Sequence, residues 1–285
     1  ISITYQNQSN VDSSGNMNTM YLDSSNYEIQ QYNCDRPGEG QLIFVGKNYC
    51  IGSQTIPIRV VGDLKNVEVI NVNDQYDYTG KQIKPTPIVQ FGSQVLEEGE
   101  DYTIEYGNNV DVGTNSGSIV IRQVSGTDTY YTGAKTARFN IYYNLSKATV
   151  TGLNDTYSYT GSEVKPIPQV TCAGKVLQKG VDYSLTYTNN IDAGTASVVI
   201  NSIDGASIGN QVVNFEIKGI NLADPGMNIT LDGQLSGLTT TYTGDYIQPN
   251  VVVTYGGKTL TLTKDYNVSY AENLNVGTAS VTISG

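Results

Sequence analysis

The chain contains no histidine and no tryptophan, and only 4 of its 285 residues are phenylalanine. Without histidine, neither a Ser-His-Asp nor a Cys-His nucleophile can be assembled, and the commonest metal ligand is missing. Charge is scarce too. Only 15% of residues are charged, and 27 acidic against 16 basic side chains leave a formal net charge of −11 with no block of Lys or Arg. That balance argues against binding nucleic-acid phosphates or anionic lipid. No stretch approaches the ~18 consecutive apolar residues of a transmembrane helix, so membrane insertion is not expected. The opening "ISITYQNQSN" lacks the basic and apolar regions of a signal peptide, so any export signal is expected to lie outside this sequence. No segment keeps a 3.6-residue apolar period, and no strand-to-helix glycine loop for phosphate is visible.

What remains is strand and turn material: 22 Tyr and 30 Gly, with Thr, Ser, Val and Asn throughout. It is written as a repeat. "YTGKQIKPTPIV" begins at Tyr78, "YTGSEVKPIPQV" at Tyr159 and "YTGDYIQPNVVV" at Tyr242, which are 81 and 83 residues apart. In each copy a second Tyr, part of an Asp-Tyr pair, follows 24 positions later (Tyr102, Tyr183, Tyr266), and a Gly 11 positions after that (Gly113, Gly194, Gly277). A degraded copy precedes them, with Tyr27 and Gly38 again 11 apart.

Each copy reads as strands. Tyr102, Ile104 and Tyr106 alternate with polar residues, as do Tyr183, Leu185, Tyr187 and Tyr266, Val268, Tyr270, the period of a half-buried strand. Polar turns closing on Gly follow ("NNVDVG", "NNIDAG", "ENLNVG"), then further strands such as "GSIVI" and "ASVVI". Pro85, Pro87, Pro166, Pro168 and Pro249 mark an edge or the beginning of a strand. Six or seven short strands per copy predict an all-β chain: a tandem array of four immunoglobulin-like antiparallel β-sandwich modules, the first and last incomplete. The expected boundaries are 1–62, 63–143, 144–219 and 220–285. Each sandwich should be roughly 35 to 40 Å long, and four in line on the order of 130 Å.

The string Tyr-Thr-Gly, Lys-Pro, Gly before "KVL" or "KTL", Asp-Tyr, Asn-Asn and Ala-Gly-Thr resembles the tandem bacterial immunoglobulin-like repeats of Gram-positive cell-surface proteins. The resemblance covers 62 to 285 well and 1 to 61 poorly. It implies a non-catalytic spacer or adhesive segment of an extracellular surface protein, standing as a stalk between a cell-wall anchor and a distal domain.

Candidate sites are few. Tyr130 with Tyr131 and Tyr142 with Tyr143 form two doublets, and because successive strand residues face opposite ways, one ring of each should be exposed to stack on glycan or meet a host protein. The stretch "DTYYTG" is the leading place for such a ligand. Structural calcium between modules has candidates in Asp74, Asp155, Asp111 and Asp192, though none belongs to a spaced calcium-loop string; turn capping is the competing role. No other cofactor is expected. Glu97, Glu98, Glu100 and Asp101 cluster in "LEEGEDY" with no counterpart in other copies, which fits a solvated face better than a glycosidase carboxylate pair. Cys34 and Cys50 fall on either side of the strand "GQLIFVG" and are predicted not to be bonded to each other. Cys172 takes the strand position of Phe91 and Tyr255 and should be a buried hydrophobe. The first module is expected to lack its first strand and the fourth its last. That fits a fragment of a longer chain, or neighbouring molecules that donate strands head to tail and build a filament.

Overall fold

The computed structural model describes residues 3–11, 14, 17–126, 129–235 and 237–285. Among these, the only helical pieces are three 3-10 turns, and most strand pairs are antiparallel, giving the all-β architecture that the composition implies. The chain divides into two compact units, Ile1–Tyr142 and Tyr143–Gly285.

In the first unit, β1 (Ile3–Val11) pairs antiparallel with β2 (Met17–Leu22), and β3 (Tyr27–Tyr32), β4 (Gly38–Gly46) and β5 (Ser53–Val60) form an antiparallel sheet. A short β6 (Gly62–Asp63) runs into a 3-10 turn, Leu64–Asn66, where the Asp63 carboxylate accepts the Lys65 N–H at 2.9 Å. That cap satisfies a donor the turn leaves open. Then come β7 (Glu68–Ile70), β8 (Gln75–Asp77), β9 (Ile88–Phe91), β10 (Gln94–Val95), β11 (Tyr102–Tyr106), β12 (Gly113–Gln123), β13 (Tyr131–Thr132) and β14 (Ala134–Asn144). One sheet is ordered β10-β9-β7 and the other β11-β12-β14, with β8 lying parallel on the outer edge of β14.

The period of two decides what these strands bury. Along β12, Gly117, Ile119 and Ile121 are buried while the intervening residues are not, and they meet Leu64, Val89, Phe139 and Ile141 in one apolar core. Gly117 stands opposite Phe139 in the ladder, and a Cβ added there would lie 2.0 Å from the Phe139 ring. Only glycine leaves room for that ring, which in turn packs edge-on against Tyr76 at 4.9 Å.

The second unit repeats the plan. Its strands are β15 (Thr149–Thr151), β16 (Thr156–Ser158), β17 (Gln169–Cys172), β18 (Lys175–Val176), β19 (Tyr183–Thr188), β20 (Gly194–Ser202), β21 (Ser207–Ile208) and β22 (Asn210–Lys218), followed by β23 (Met227–Leu231), β24 (Val251–Tyr255), β25 (Lys258–Thr259), β26 (Asn267–Ala271) and β27 (Ser280–Ser284). Sheets β15-β17-β18 and β16-β22-β20-β19 correspond strand for strand to those of the first unit, including the parallel contact of β16 on β22. Here Ala196 faces Phe215, and Tyr157 packs on that ring at 5.2 Å. After them come a sheet β23-β24-β25 and the pair β26-β27. The prolines sit where expected, just ahead of β9, β17 and β24.

Candidate functional site

The residues that make the repeat recognisable are tied into its own framework. In the Asp-Tyr pair, the Asp carboxylate accepts the backbone N–H four residues earlier: Glu97 to Asp101 at 2.9 Å, Gln178 to Asp182 at 2.7 Å and Thr261 to Asp265 at 2.6 Å. Each Asp therefore clamps the turn that launches the next strand. The Tyr four positions after the pair donates its hydroxyl to the carbonyl of the proline 21 residues back, Tyr106 to Pro85 (3.0 Å), Tyr187 to Pro166 (2.8 Å) and Tyr270 to Pro249 (2.7 Å). Proline has no N–H for a ladder, and its carbonyl finds a side-chain partner instead. The pair's own Tyr donates its hydroxyl to a backbone carbonyl 15 residues back in two copies, Tyr183 to Pro168 and Tyr266 to Val251.

A third tie closes each copy. Asn109, Asn190 and Asn273 are buried, and their side-chain amides donate to the carbonyls of Ile83, Val164 and Ile247. Those same three residues donate their backbone N–H back to the Asn carbonyl. The polar turn is thereby clipped to the loop that follows Tyr-Thr-Gly. Within that loop the Thr hydroxyl accepts from the backbone two residues on (Lys81, Ser162, Asp245), so the triplet is a turn. Burial pushes the Tyr102, Tyr106, Tyr183 and Tyr187 hydroxyls above the usual tyrosine range, with the Glu98 carboxylate adding to the rise at Tyr102 and Tyr106.

The tyrosine doublets are not the exposed platforms that alternation predicts. Tyr131, Tyr142 and Tyr143 are all buried, and Tyr130 is half-buried. Tyr131 pairs opposite Gly62 and its ring packs edge-on against Phe91 at 5.6 Å. The Tyr142 hydroxyl bonds that of Thr114 at 3.0 Å, and Tyr143 pairs in register with Ser207. Tyr130 lies under the Arg59 guanidinium, 5.0 Å from the ring centre, and donates to the Glu39 carboxylate at 2.9 Å. Alternation assigns faces but not what covers them, and here other segments cover both faces. Asp128 of "DTYYTG" lies outside the described residues.

The four calcium candidates are scattered. Asp74 and Asp155 are exposed and contribute backbone carbonyls to Asn140 and Glu216. The Asp111 carboxylate accepts from the Asn108 side chain, and Asp192 pairs with Lys264 at 3.0 Å. Among the described residues no three His, Cys, Asp or Glu side chains converge on a metal-sized space. In the acidic cluster, Glu97, Glu98 and Glu100 are exposed on the turn before β11 and Asp101 is engaged in its clamp. Cys34 and Cys50 are free thiols separated by the nine-residue β4. Cys172 is buried, its thiol 3.8 Å from the Asn144 carbonyl.

The sequence reading missed the junctions between successive repeats. In the first unit, β6 pairs parallel with β13, and the buried Leu64 of the 3-10 turn anchors the linker. An added Cβ at Gly62 would come within 3.0 Å of the Tyr131 ring and 2.9 Å of Pro37. In the second unit, Tyr143 and Asn144 pair parallel with β21, and Leu145 is the buried anchor of an equivalent turn, Leu145–Lys147, capped by Asn144. The residues trade places: Gly62 opposite Tyr131 in one junction, Tyr143 opposite Ser207 in the other. Further along the second unit, Tyr159 packs against both the Phe215 and the Val253 cores, flanked by the Asp192 to Lys264 ion pair and a bond from Lys258 to the Ser162 hydroxyl at 3.1 Å. An Asx residue followed by Leu, in "DLKN" and "NLSK", was the available signal for the two capped turns.

No known protein-family model matches this chain, and no curated protein matches it.

Proposed function

We propose that the chain is a tandem array of four immunoglobulin-like sandwiches, of the kind found as stalks in Gram-positive surface proteins, whose role is to hold an outward domain at a distance. One observation carries this reading: the residues that define the repeat are spent on the same internal ties in three successive copies. A Tyr that donates to a Pro carbonyl 21 residues back, in all three of these copies, serves the module's own framework. Linkers built as capped turns with a buried Leu fit a spacer better than a chain of loosely hung domains. Small-angle scattering on the monodisperse chain, with and without millimolar calcium, tests it. A spacer gives a maximum dimension well above ~100 Å that the metal leaves unchanged, from modules of roughly 35 Å each. A compact particle, or one that extends only with calcium, refutes it.

A further inference from the structure

The segment leading into β14 and the one leading into β22 both close on the linker ahead of their own repeat. The Gly62 N–H donates to the Tyr130 carbonyl at 2.9 Å, and the Tyr143 N–H donates to the Ala206 carbonyl at 3.1 Å. Tyr130 and Ala206 are therefore equivalent positions, one carrying a ring and the other a methyl group.

The ring reaches into the preceding repeat. Glu39 and Arg59 stand opposite each other on β4 and β5, at the end of that ladder next to the linker. The Tyr130 hydroxyl donates to the Glu39 carboxylate at 2.9 Å, and the centre of its ring is 5.0 Å from the Arg59 guanidinium carbon. Arg59 Nη2 in turn donates to the Thr129 carbonyl at 2.5 Å. The guanidinium thus uses both its flat face and its donors on one short segment of the second repeat, which a lysine could not do. In the second repeat the positions of Glu39 and Arg59 are held by the uncharged Thr114 and Asn140. Ring, acid and guanidinium come as a set: where Ala206 replaces the ring, Thr114 and Asn140 replace the charges.

We propose that residues 129–131 form a latch, contributed by the second repeat, that holds the first repeat's β4–β5 ladder shut and fixes the junction between the two. The latch has two halves. On the inner side the Tyr131 ring packs on Gly62 and Pro37, where no Cβ fits at residue 62. On the outer side Tyr130 staples Glu39 to Arg59 across two paired strands, so parting β4 from β5 there breaks the stack and the hydrogen bond together. The dependence runs one way. The second repeat's own core, from Leu64 to Ile141, lies elsewhere, whereas the first repeat's ladder is gripped from outside by a segment it does not own. The latch stands apart from the spacer reading, since a compact chain could carry it equally well.

The test uses the intact 285-residue chain and follows amide exchange by mass spectrometry. Tyr130→Ala, a change in the second repeat, is expected to speed exchange across β4 and β5 of the first about fivefold or more while leaving β9 and β12 as they were. Arg59→Ala should give a similar increase, and the two substitutions together should add little beyond either, because each removes the same contact. Unchanged exchange in β4 and β5 with Tyr130→Ala overturns the latch. So does an equal rise in β9 and β12, which would mean a general loosening of the second repeat, and so do fully additive effects of the two substitutions.

Discussion

Tyr131 and Tyr187 show how differently one residue type is used in this chain. The Tyr187 hydroxyl donates to Pro166, whereas the Tyr131 hydroxyl is buried with no hydrogen-bond partner among the described residues. A buried unsatisfied hydroxyl costs about 1 to 3 kcal/mol. Tyr131→Phe is therefore expected to leave chemical-denaturation stability unchanged or raised, while Tyr187→Phe lowers it by about 1 kcal/mol; a loss at Tyr131 equal to that at Tyr187 contradicts this assignment. The tyrosines also set the pH response. Burial raises the folded-state pKa of Tyr102, Tyr106, Tyr131, Tyr183 and Tyr187 above the unfolded value near 10. The folded state thus holds these protons more tightly, a stabilisation fully present below the unfolded pKa and lost as pH rises through the folded one. With no histidine to titrate between, thermal melts should be nearly level from about pH 6 to 9 and fall steeply above about pH 10. A clear transition near pH 6.5 would show that another group governs stability.

Among the elements, strands were the most legible in the sequence and connections the least. Alternation in "DYTIEY" and "DYSLTY" marked β11 and β19, and the Pro positions marked the starts of β9 and β17, because backbone sterics and one-sided burial act locally. The buried doublets escaped because their covers come from far along the chain: Gly62 over Tyr131, Ser207 opposite Tyr143. The Asn clip was read as part of a polar turn, although its partner lies a constant 26 residues away in all three copies. Because Asn190 joins two otherwise separate loops and is buried, Asn190→Ala removes the partner of the Val164 carbonyl as well as its own contacts. The expected loss is about 2 kcal/mol, confined to the third repeat, so exchange should quicken across β16 to β22 and not in β24. Quickening spread evenly over both would mean that the repeats do not fold as separate units.

At the scale of the whole molecule, the order of strands decides how the chain bears tension. The chain enters the second repeat through β7 and β8 and leaves it through β14, and β8 and β14 are parallel neighbours; β16 and β22 stand in the same relation in the third. Pulling on the chain at both sides shears each pair, loading its hydrogen bonds together instead of one at a time. Residues 220–285 have no such pair among the described residues, since β27 meets only β26. A spacer of separately folded, shear-loaded repeats is the central claim, and single-molecule extension of the chain held at its two ends tests it most directly. The account predicts two strong unfolding events, each releasing roughly 250 Å of chain, the extended length of about 80 residues less the folded module. A single release spanning the whole chain, or smooth extension without discrete events, would contradict it.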